Sequence, residues 1–121
     1  MFKKGILLFF LLYGLMPANV DGHMVKASWY GRAFEGKVMA NGKCFRSKDP
    51  TTAAHKDLPI GTKLLVRNPE NGRKIIVVVK DRGPFEAGRD LDLSRAGAER
   101  LGYLKRGIAL LEVHVIKVSI D

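Results

Sequence analysis

Five successive apolar residues branched at Cβ, Ile75 to Val79, constrain the fold of this chain more than any other stretch. Such side chains are stiff at χ1 and suit a pleated surface, so the run predicts a strand buried on both faces. Gly83-Pro84 ends that strand, because glycine adopts angles closed to other residues and proline donates no ladder hydrogen bond. Asp81 and Arg82 are therefore expected at the rim of a sheet. An aspartate there either accepts hydrogen bonds from turn N–H groups or serves as a catalytic acid.

Residues 1–22 have the composition of a secretory signal peptide. Lys3 and Lys4 precede an almost wholly apolar run, and Pro17 begins a polar exit with small residues. The run is shorter than the roughly 20 residues that span a bilayer, so we expect no stable membrane insertion after cleavage, with an uncleaved anchor as the alternative. No cysteine stands directly after the run, which leaves lipid attachment without an acceptor there. We expect export to the periplasm or cell envelope.

Residues 23–121 suffice for one domain with one core, which we expect to be a monomer. The single cysteine, Cys44, excludes a disulfide within the chain, so packing must hold the fold. Lys and Arg number 21 against 12 Asp and Glu, and this excess favours an anionic polymer as partner. Expected export argues for a cell-wall polymer and against nucleic acid. The dispersed histidines and the absence of a phosphate-binding glycine loop predict neither a metal nor a cofactor.

Turn signals at short intervals divide this domain into short segments of regular structure. The Asn71-Gly72 pair predicts a hairpin that pairs two strands antiparallel. Because no βαβ repeat is present, the fold class is mainly β, a small barrel or sandwich. We predict a helix over 95–101, capped by Ser94 and ended by Gly102, and strands at 25–31, 51–55, 62–67, 74–80, 89–93 and 107–118.

Trp29 and Tyr30 close the first predicted strand, where adjacent side chains point to opposite faces. One is expected in the core and the other near the surface, where an aromatic ring can stack on a sugar. A long loop follows to Pro50, and long ordered loops on a rigid scaffold tend to hold function. His55 is either a buried hydrogen-bonding residue or a group that orients a carboxylate or a sugar hydroxyl.

Several blocks of the chain, taken in order, resemble the rare lipoprotein A family of bacterial septal lytic transglycosylases. The blocks are Ala27-Ser28-Trp29-Tyr30-Gly31, Ala40-Asn41-Gly42, Thr52-Ala53-Ala54-His55, Leu58-Pro59-Ile60-Gly61-Thr62, Asp81-Arg82-Gly83-Pro84-Phe85 and Leu91-Asp92-Leu93-Ser94. The resemblance implies a six-stranded double-psi β-barrel with one short helix, a fold shared with expansins and barwin-like proteins. It also implies an endolytic lyase that cleaves between N-acetylmuramic acid and N-acetylglucosamine. The family prefers peptidoglycan strands without stem peptides and leaves 1,6-anhydromuramyl ends.

By the same resemblance, Asp81 and His55 match the essential aspartate and histidine of the family. The expected substrate-binding residues are Trp29, Tyr30, Asn41, Lys43 and Arg82. Relatives often place an acidic residue where Lys43 stands, and Glu35 in the same loop is the alternative carboxylate. The C-terminal glycan-binding module of many relatives has no counterpart in these residues.

Lytic transglycosylation needs one group that protonates the glycosidic oxygen and then deprotonates the muramyl C6 hydroxyl, which attacks C1. Because the nucleophile belongs to the substrate, one carboxylate suffices, and an acid at position 43 is dispensable. Asp81 then has to be protonated near neutral pH, with the apolar wall of Val77 and Val79 outweighing Arg82. The alternatives are a non-catalytic, expansin-like peptidoglycan-binding barrel and a structural or partner-binding domain.

Overall fold

The computed structural model describes residues 22–119, which form a closed six-stranded barrel with one α-helix. The strands are β1 (His23–Trp29), β2 (Thr52–Ala54), β3 (Lys63–Arg67), β4 (Lys74–Asp81), β5 (Leu91–Leu93) and β6 (Ala109–Lys117), and the helix is α1 (Arg95–Leu101). A 3-10 helix, Arg32–Phe34, follows β1. The predicted six strands and single helix are confirmed. All but the last residue of the predicted signal peptide lies outside the described residues.

No helix within residues 22–119 is long and apolar enough to cross a bilayer.

The strands follow the order β1-β5-β2-β4-β3-β6 around the barrel, which closes where β6 meets β1. Two pairs, β1 with β5 and β2 with β4, are parallel, and the other four are antiparallel. The predicted hairpin is confirmed, since Arg67 on β3 faces Lys74 on β4 across the turn that contains Asn71-Gly72. The strands adjacent in sequence therefore account for only part of the closure, and the rest depends on distant segments.

The core fills the barrel with side chains from all six strands and from α1. Val77 and Val79 on β4 are fully buried, whereas Ile76, the residue before Val77, is 54 % exposed. The prediction that this run is buried on both faces is therefore wrong for Ile76. In a closed barrel only alternate side chains face the interior, and the outward face of β4 meets solvent at this point.

Helix α1 has the caps that the sequence predicts. The Ser94 hydroxyl accepts a hydrogen bond from the Gly97 N–H, and Gly102 ends the helix with a φ of +81°, which favours glycine. Just after the helix, the buried Tyr103 donates its hydroxyl hydrogen to the Ser28 carbonyl at 2.9 Å. The helix and the turn that follows are thereby fixed against the end of β1, beside the candidate site.

Candidate active site

A row of four residues crosses four neighbouring strands near one end of the barrel. Ser28 on β1 pairs with Asp92 on β5, Asp92 pairs with Ala54 on β2, and Ala54 pairs with Asp81 on β4. A register shift between Ala53 and Ala54 places Asp81, the last residue of its strand, opposite Ala54. Such shifts re-aim side chains and are common beside active sites. The row brings two carboxylates that are 11 positions apart in sequence to one patch of the sheet.

The Asp81 carboxylate accepts three hydrogen bonds. Its Oδ1 accepts from the main-chain N–H groups of Ala40, at 3.0 Å, and Arg82, at 2.9 Å. Its Oδ2 accepts from the Tyr30 hydroxyl at 2.9 Å. The polar surroundings of Asp81 therefore come from two main-chain N–H groups and one hydroxyl, and the Arg82 guanidinium is not among these donors.

Tyr30 is the member of the aromatic pair that is buried, with 5 % of its surface exposed. Its ring stacks on Phe45 at 4.3 Å between centroids and meets Phe34 edge-on at 5.6 Å. Burial raises the pKa of the Tyr30 hydroxyl, and the charge of Asp81 raises it further, so the hydroxyl remains a donor. Packing covers the ring, so Tyr30 is the member of the pair that enters the core, and its hydroxyl supports Asp81.

Trp29 is half-buried and packs against the barrel core. Its indole N–H donates to the Leu104 carbonyl at 3.2 Å, which fixes the ring in one orientation. Trp29 lines the cleft that contains Asp81 and also a second pocket. The sequence alone did not predict that Trp29 is shared by two cavities.

Asp92 is a second acidic side chain in the cleft of Asp81. The Ser28 hydroxyl donates to its Oδ1 at 3.1 Å. Burial raises the pKa of Asp92 to about 6, in spite of that hydrogen bond, and the negative charges of Glu86 and Asp81 act in the same direction as burial. No role for this carboxyl was predicted from the sequence. Its signal was the alternation of Leu91-Asp92-Leu93, which places an acid between two buried leucines.

The cleft around the two acids has a volume of about 440 Å³. At its border lie two exposed aromatic rings, Phe34, which is 49 % exposed, and Phe85, which is 81 % exposed. Exposed aromatic faces beside polar groups are typical of carbohydrate sites, because one face of a sugar ring is apolar. These two phenylalanines therefore offer stacking surfaces that were not predicted from the sequence.

His55 neighbours Asp81 through the main chain, since its N–H donates to the Asp81 carbonyl at 3.1 Å. Its ring Nδ1 accepts from the N–H groups of Asp57, at 3.0 Å, and Leu58, at 3.1 Å. Burial lowers the pKa of His55, so the ring is neutral near pH 7 with its hydrogen on Nε2. Among the hydrogen bonds of residues 22–119, none joins this ring to the Asp81 carboxylate, and the ring does not line the cleft.

Arg82 does not form an ion pair with Asp81 among the described residues. Its guanidinium donates to the carbonyls of His55 and Leu58, and so closes the turn that holds the histidine. The side chain still lines one wall of the cleft. Arg82 therefore connects the end of β4 to the segment after β2.

Asn41 and Lys43 shape the loop above Asp81. The Asn41 N–H donates to the Lys80 carbonyl at 3.0 Å, and Asn41 Oδ1 accepts from the Lys43 N–H at 2.9 Å. This turn aligns the preceding N–H, that of Ala40, with Asp81. The Lys43 side chain is exposed, and neither it nor Asn41 lines the cleft. Glu35 accepts from the Ser47 N–H and lines the second pocket, so it does not supply the alternative carboxylate beside Asp81.

The family model described as lytic transglycolase matches residues 23–113. The chain belongs to this family. A protein of Aquifex aeolicus named "Probable endolytic peptidoglycan transglycosylase RlpA" is 48 % identical over 101 residues, which cover 84 % of this chain and 43 % of that protein. A Vibrio cholerae protein named "Endolytic peptidoglycan transglycosylase RlpA" is 45 % identical over 94 residues, 78 % of this chain and 35 % of that protein. The resemblance stated from sequence is confirmed, and the chain spans less than half the length of these family members.

Solved structures give the same fold at low sequence identity. The Streptomyces papain inhibitor superposes with a TM-score of 0.64 at 23 % identity, covering 80 % of this chain and 96 % of the inhibitor. An expansin of Clavibacter michiganensis superposes with a TM-score of 0.61 at 21 % identity, covering 84 % of this chain and 53 % of the expansin. The predicted double-psi β-barrel fold is confirmed.

Proposed function

We propose that this protein is an endolytic lytic transglycosylase that cleaves peptidoglycan between N-acetylmuramic acid and N-acetylglucosamine. The observation that carries the proposal is the pair of carboxyl groups in one cleft, Asp81 with three donors and Asp92 with its pKa raised to about 6. Two acids whose surroundings differ this much suit acid–base work on a glycosidic bond. The names of the relatives specify the same activity for those proteins.

Asp92 is the proton donor in this proposal. A pKa of about 6 leaves a protonated fraction near neutral pH, whereas an ordinary aspartate is almost wholly ionised there. The proton of the Asp92 carboxyl moves to the glycosidic oxygen as the bond from that oxygen to C1 breaks. The muramyl C6 hydroxyl attacks C1, and its proton passes to the Asp92 carboxylate. The 1,6-anhydromuramyl product forms without added water, and the acid is restored for the next cycle.

The Asp81 carboxylate supplies negative charge near C1, where positive charge develops in the transition state. Tyr30 is a positioning residue that holds this carboxylate through its hydroxyl. Within residues 22–119 the Nε2–H of the neutral His55 ring donates to no protein acceptor, and in this proposal it binds a sugar hydroxyl where the strand passes beyond the edge of the cleft. We assign the remaining predicted contacts, Trp29 and Arg82, to the walls of the cleft, and Asn41 and Lys43 to the loop that positions the Ala40 N–H.

Membership of a cell-wall enzyme family supports a location in the cell envelope. Export to the periplasm and a monomeric state are the finer parts of this proposal. They follow from the composition of residues 1–22 and from a domain that closes its own barrel.

The direct test is a digestion of purified glycan strands from which an amidase has removed the stem peptides. Mass spectrometry of the products should show 1,6-anhydromuramyl ends that increase with time. Strands that are bound but remain intact would identify the protein as the non-catalytic, expansin-like alternative. A protein that neither cleaves nor binds the strands would be the structural or partner-binding domain.

We expect Tyr30→Phe to lower kcat about tenfold while KM changes little, because the Asp81 carboxylate loses one of its three donors. Initial rates of anhydromuramyl formation measure the effect. Tyr103→Phe is the matched control, since it removes another buried hydroxyl. Both variants should lose a similar free energy of unfolding, about 1–2 kcal/mol, and only Tyr30→Phe should lose rate. Equal rates in the two variants would contradict the positioning role.

We expect His55→Ala to lower both activity and stability. The N–H groups of Asp57 and Leu58 lose their acceptor, which costs about 1–2 kcal/mol of unfolding free energy. His55→Asn keeps an acceptor oxygen for a turn of this type and should regain most of that stability. It lacks the ring Nε2–H, so its activity should stay about tenfold below the parent. Circular dichroism measures the stability of each variant, and cleavage rates measure its activity. Full activity in His55→Asn would leave the histidine a purely structural role.

A further inference from the structure

Trp29 also lines a second pocket, which has a volume of about 650 Å³ and does not include either acid. We call it the basic pocket and define it by Trp29, Arg32, Glu35, Arg46, Lys48 and Arg95. Its size is within the range of sites that hold small molecules. Nothing in the chemistry of the cleft uses it, although Trp29, Tyr30 and Gly31 border both cavities.

The charges of the basic pocket are strongly one-sided. Four cations surround it, and Glu35 is its one carboxylate, which leaves a net formal charge of plus three. Hydrogen bonds from Ser47 hold the pKa of Glu35 below its usual value, as do Arg46 and Lys48 to a smaller degree. Within residues 22–119, no salt bridge involves any of the four cations. The pocket therefore offers uncompensated positive charge beside an aromatic ring.

The ligand that fits both features is a sugar that has a negative charge. An indole ring packs on the apolar face of a sugar, and guanidinium and ammonium groups bind a carboxylate. A glycan strand whose muramyl groups have lost their stem peptides has such sugars at every second position, each with a free lactyl carboxylate. A strand held in the cleft has further sugars on both sides of the bond that is cut, and the shared wall at Trp29 puts the basic pocket next to that path.

We propose that the basic pocket is a subsite for a carboxylate-bearing sugar of the strand that occupies the cleft, and that it gives the protein its selectivity for strands without peptides. The proposal rests on the function proposed above. A stem peptide attached to the lactyl group converts the carboxylate to an amide and adds bulk, so it removes the charge that the pocket binds. Selectivity then comes from attraction to the peptide-free sugar as well as from exclusion of the peptide-bearing one.

The test uses the full chain with Asp81→Asn, so that the probes are not cut during the measurement. Calorimetry compares two oligosaccharides of equal length, a peptide-free peptidoglycan fragment with free lactyl carboxylates and the same fragment after these are coupled to methylamine. The pocket variant is Arg46→Gln with Lys48→Gln. The matched control is Lys63→Gln with Lys74→Gln, two exposed lysines of the barrel wall that line neither cavity.

We expect the pocket variant to bind the charged fragment about fivefold more weakly and the methylamide as well as before. The control should change either affinity less than about twofold. An unchanged affinity of the pocket variant for the charged fragment would overturn the subsite. Equal losses for both fragments would overturn it too, because they would show a loss of shape and not of charge recognition. Displacement of the charged fragment by an equal concentration of polyphosphate would reassign the pocket to a phosphate polymer.

Digestion by the parent chain separates this proposal from the proposed function. If the parent produces 1,6-anhydromuramyl ends and the pocket variant loses nothing at limiting substrate, the subsite fails and the activity stands. If the parent produces no such ends, the function fails, and the binding results decide the subsite alone.

Discussion

Replacing Asp81 with asparagine should reduce glycan cleavage about a hundred- to ten-thousandfold and leave the fold intact. The amide oxygen keeps accepting from the N–H groups of Ala40 and Arg82, and the amide nitrogen replaces Oδ2 as the partner of the Tyr30 hydroxyl. The negative charge near C1 is lost, and with it the electrostatic stabilisation of the transition state. Quantitative mass spectrometry of anhydromuramyl ends measures the loss.

The residual activity of Asp81→Asn should have a more acidic optimum. Burial dominates the raised pKa of Asp92, and the charge of Asp81 adds to it, so removing that charge lowers the pKa of the proton donor. Binding of intact strands and the circular dichroism spectrum should match those of the parent. A variant that cleaves as well as the parent would refute the part assigned to Asp81.

Asp92→Asn should reduce cleavage by a similar factor, because an amide cannot donate the proton that the leaving oxygen needs. In the parent, activity should fall as the pH rises through about 6, since the protonated carboxyl is the active form. Asp90→Asn is the matched control, an exposed aspartate two positions away that does not line the cleft. A pH profile of Asp92→Asn with the same alkaline limb as the parent would assign the proton donor to another group.

Asp92→Asn should also stabilise the fold at neutral pH. The folded-state pKa of Asp92, about 6, exceeds its ordinary value of 3.8, so the protonated form is favoured by folding. The contribution of the protonated Asp92 carboxyl to folding stability is present in full below the ordinary pKa and is lost as the pH rises through about 6. Asparagine does not titrate. The free energy of unfolding of Asp92→Asn should therefore exceed that of the parent by about 1–2 kcal/mol at about pH 8 and by little at about pH 4. Urea unfolding at both pH values checks the sign.

The positions of the strands along the chain and the site motifs could be predicted because they depend on local patterns. The run before Asp81 marks a strand, the Asn71-Gly72 pair marks its hairpin, and Ser94 marks the helix start, and each signal spans only a few residues. The resemblance then added the barrel fold, which local patterns alone left open between barrel and sandwich.

The role of each side chain could not be predicted in the same way, since it depends on which segments meet. Asp92 has its raised pKa because a register of three strand pairs buries it beside Asp81, and no sequence period encodes that register. Tyr30 and Trp29 are equivalent on a strand pattern. Packing of the long loop, through Phe45, buries Tyr30, whereas Trp29 stays half-buried.

The pairing of β1 with β6 has a consequence for the order of events during synthesis. Val25 on β1 faces Leu111 on β6, so the first strand of the barrel lacks one neighbour until the last strand has emerged. β3 also pairs with β6, so a chain that ends before β6 leaves one edge of β1 and one edge of β3 unpaired. Folding therefore depends on contacts between distant segments, which form slowly. A prematurely terminated chain lacks these strand pairings and is therefore exposed to proteases and aggregation.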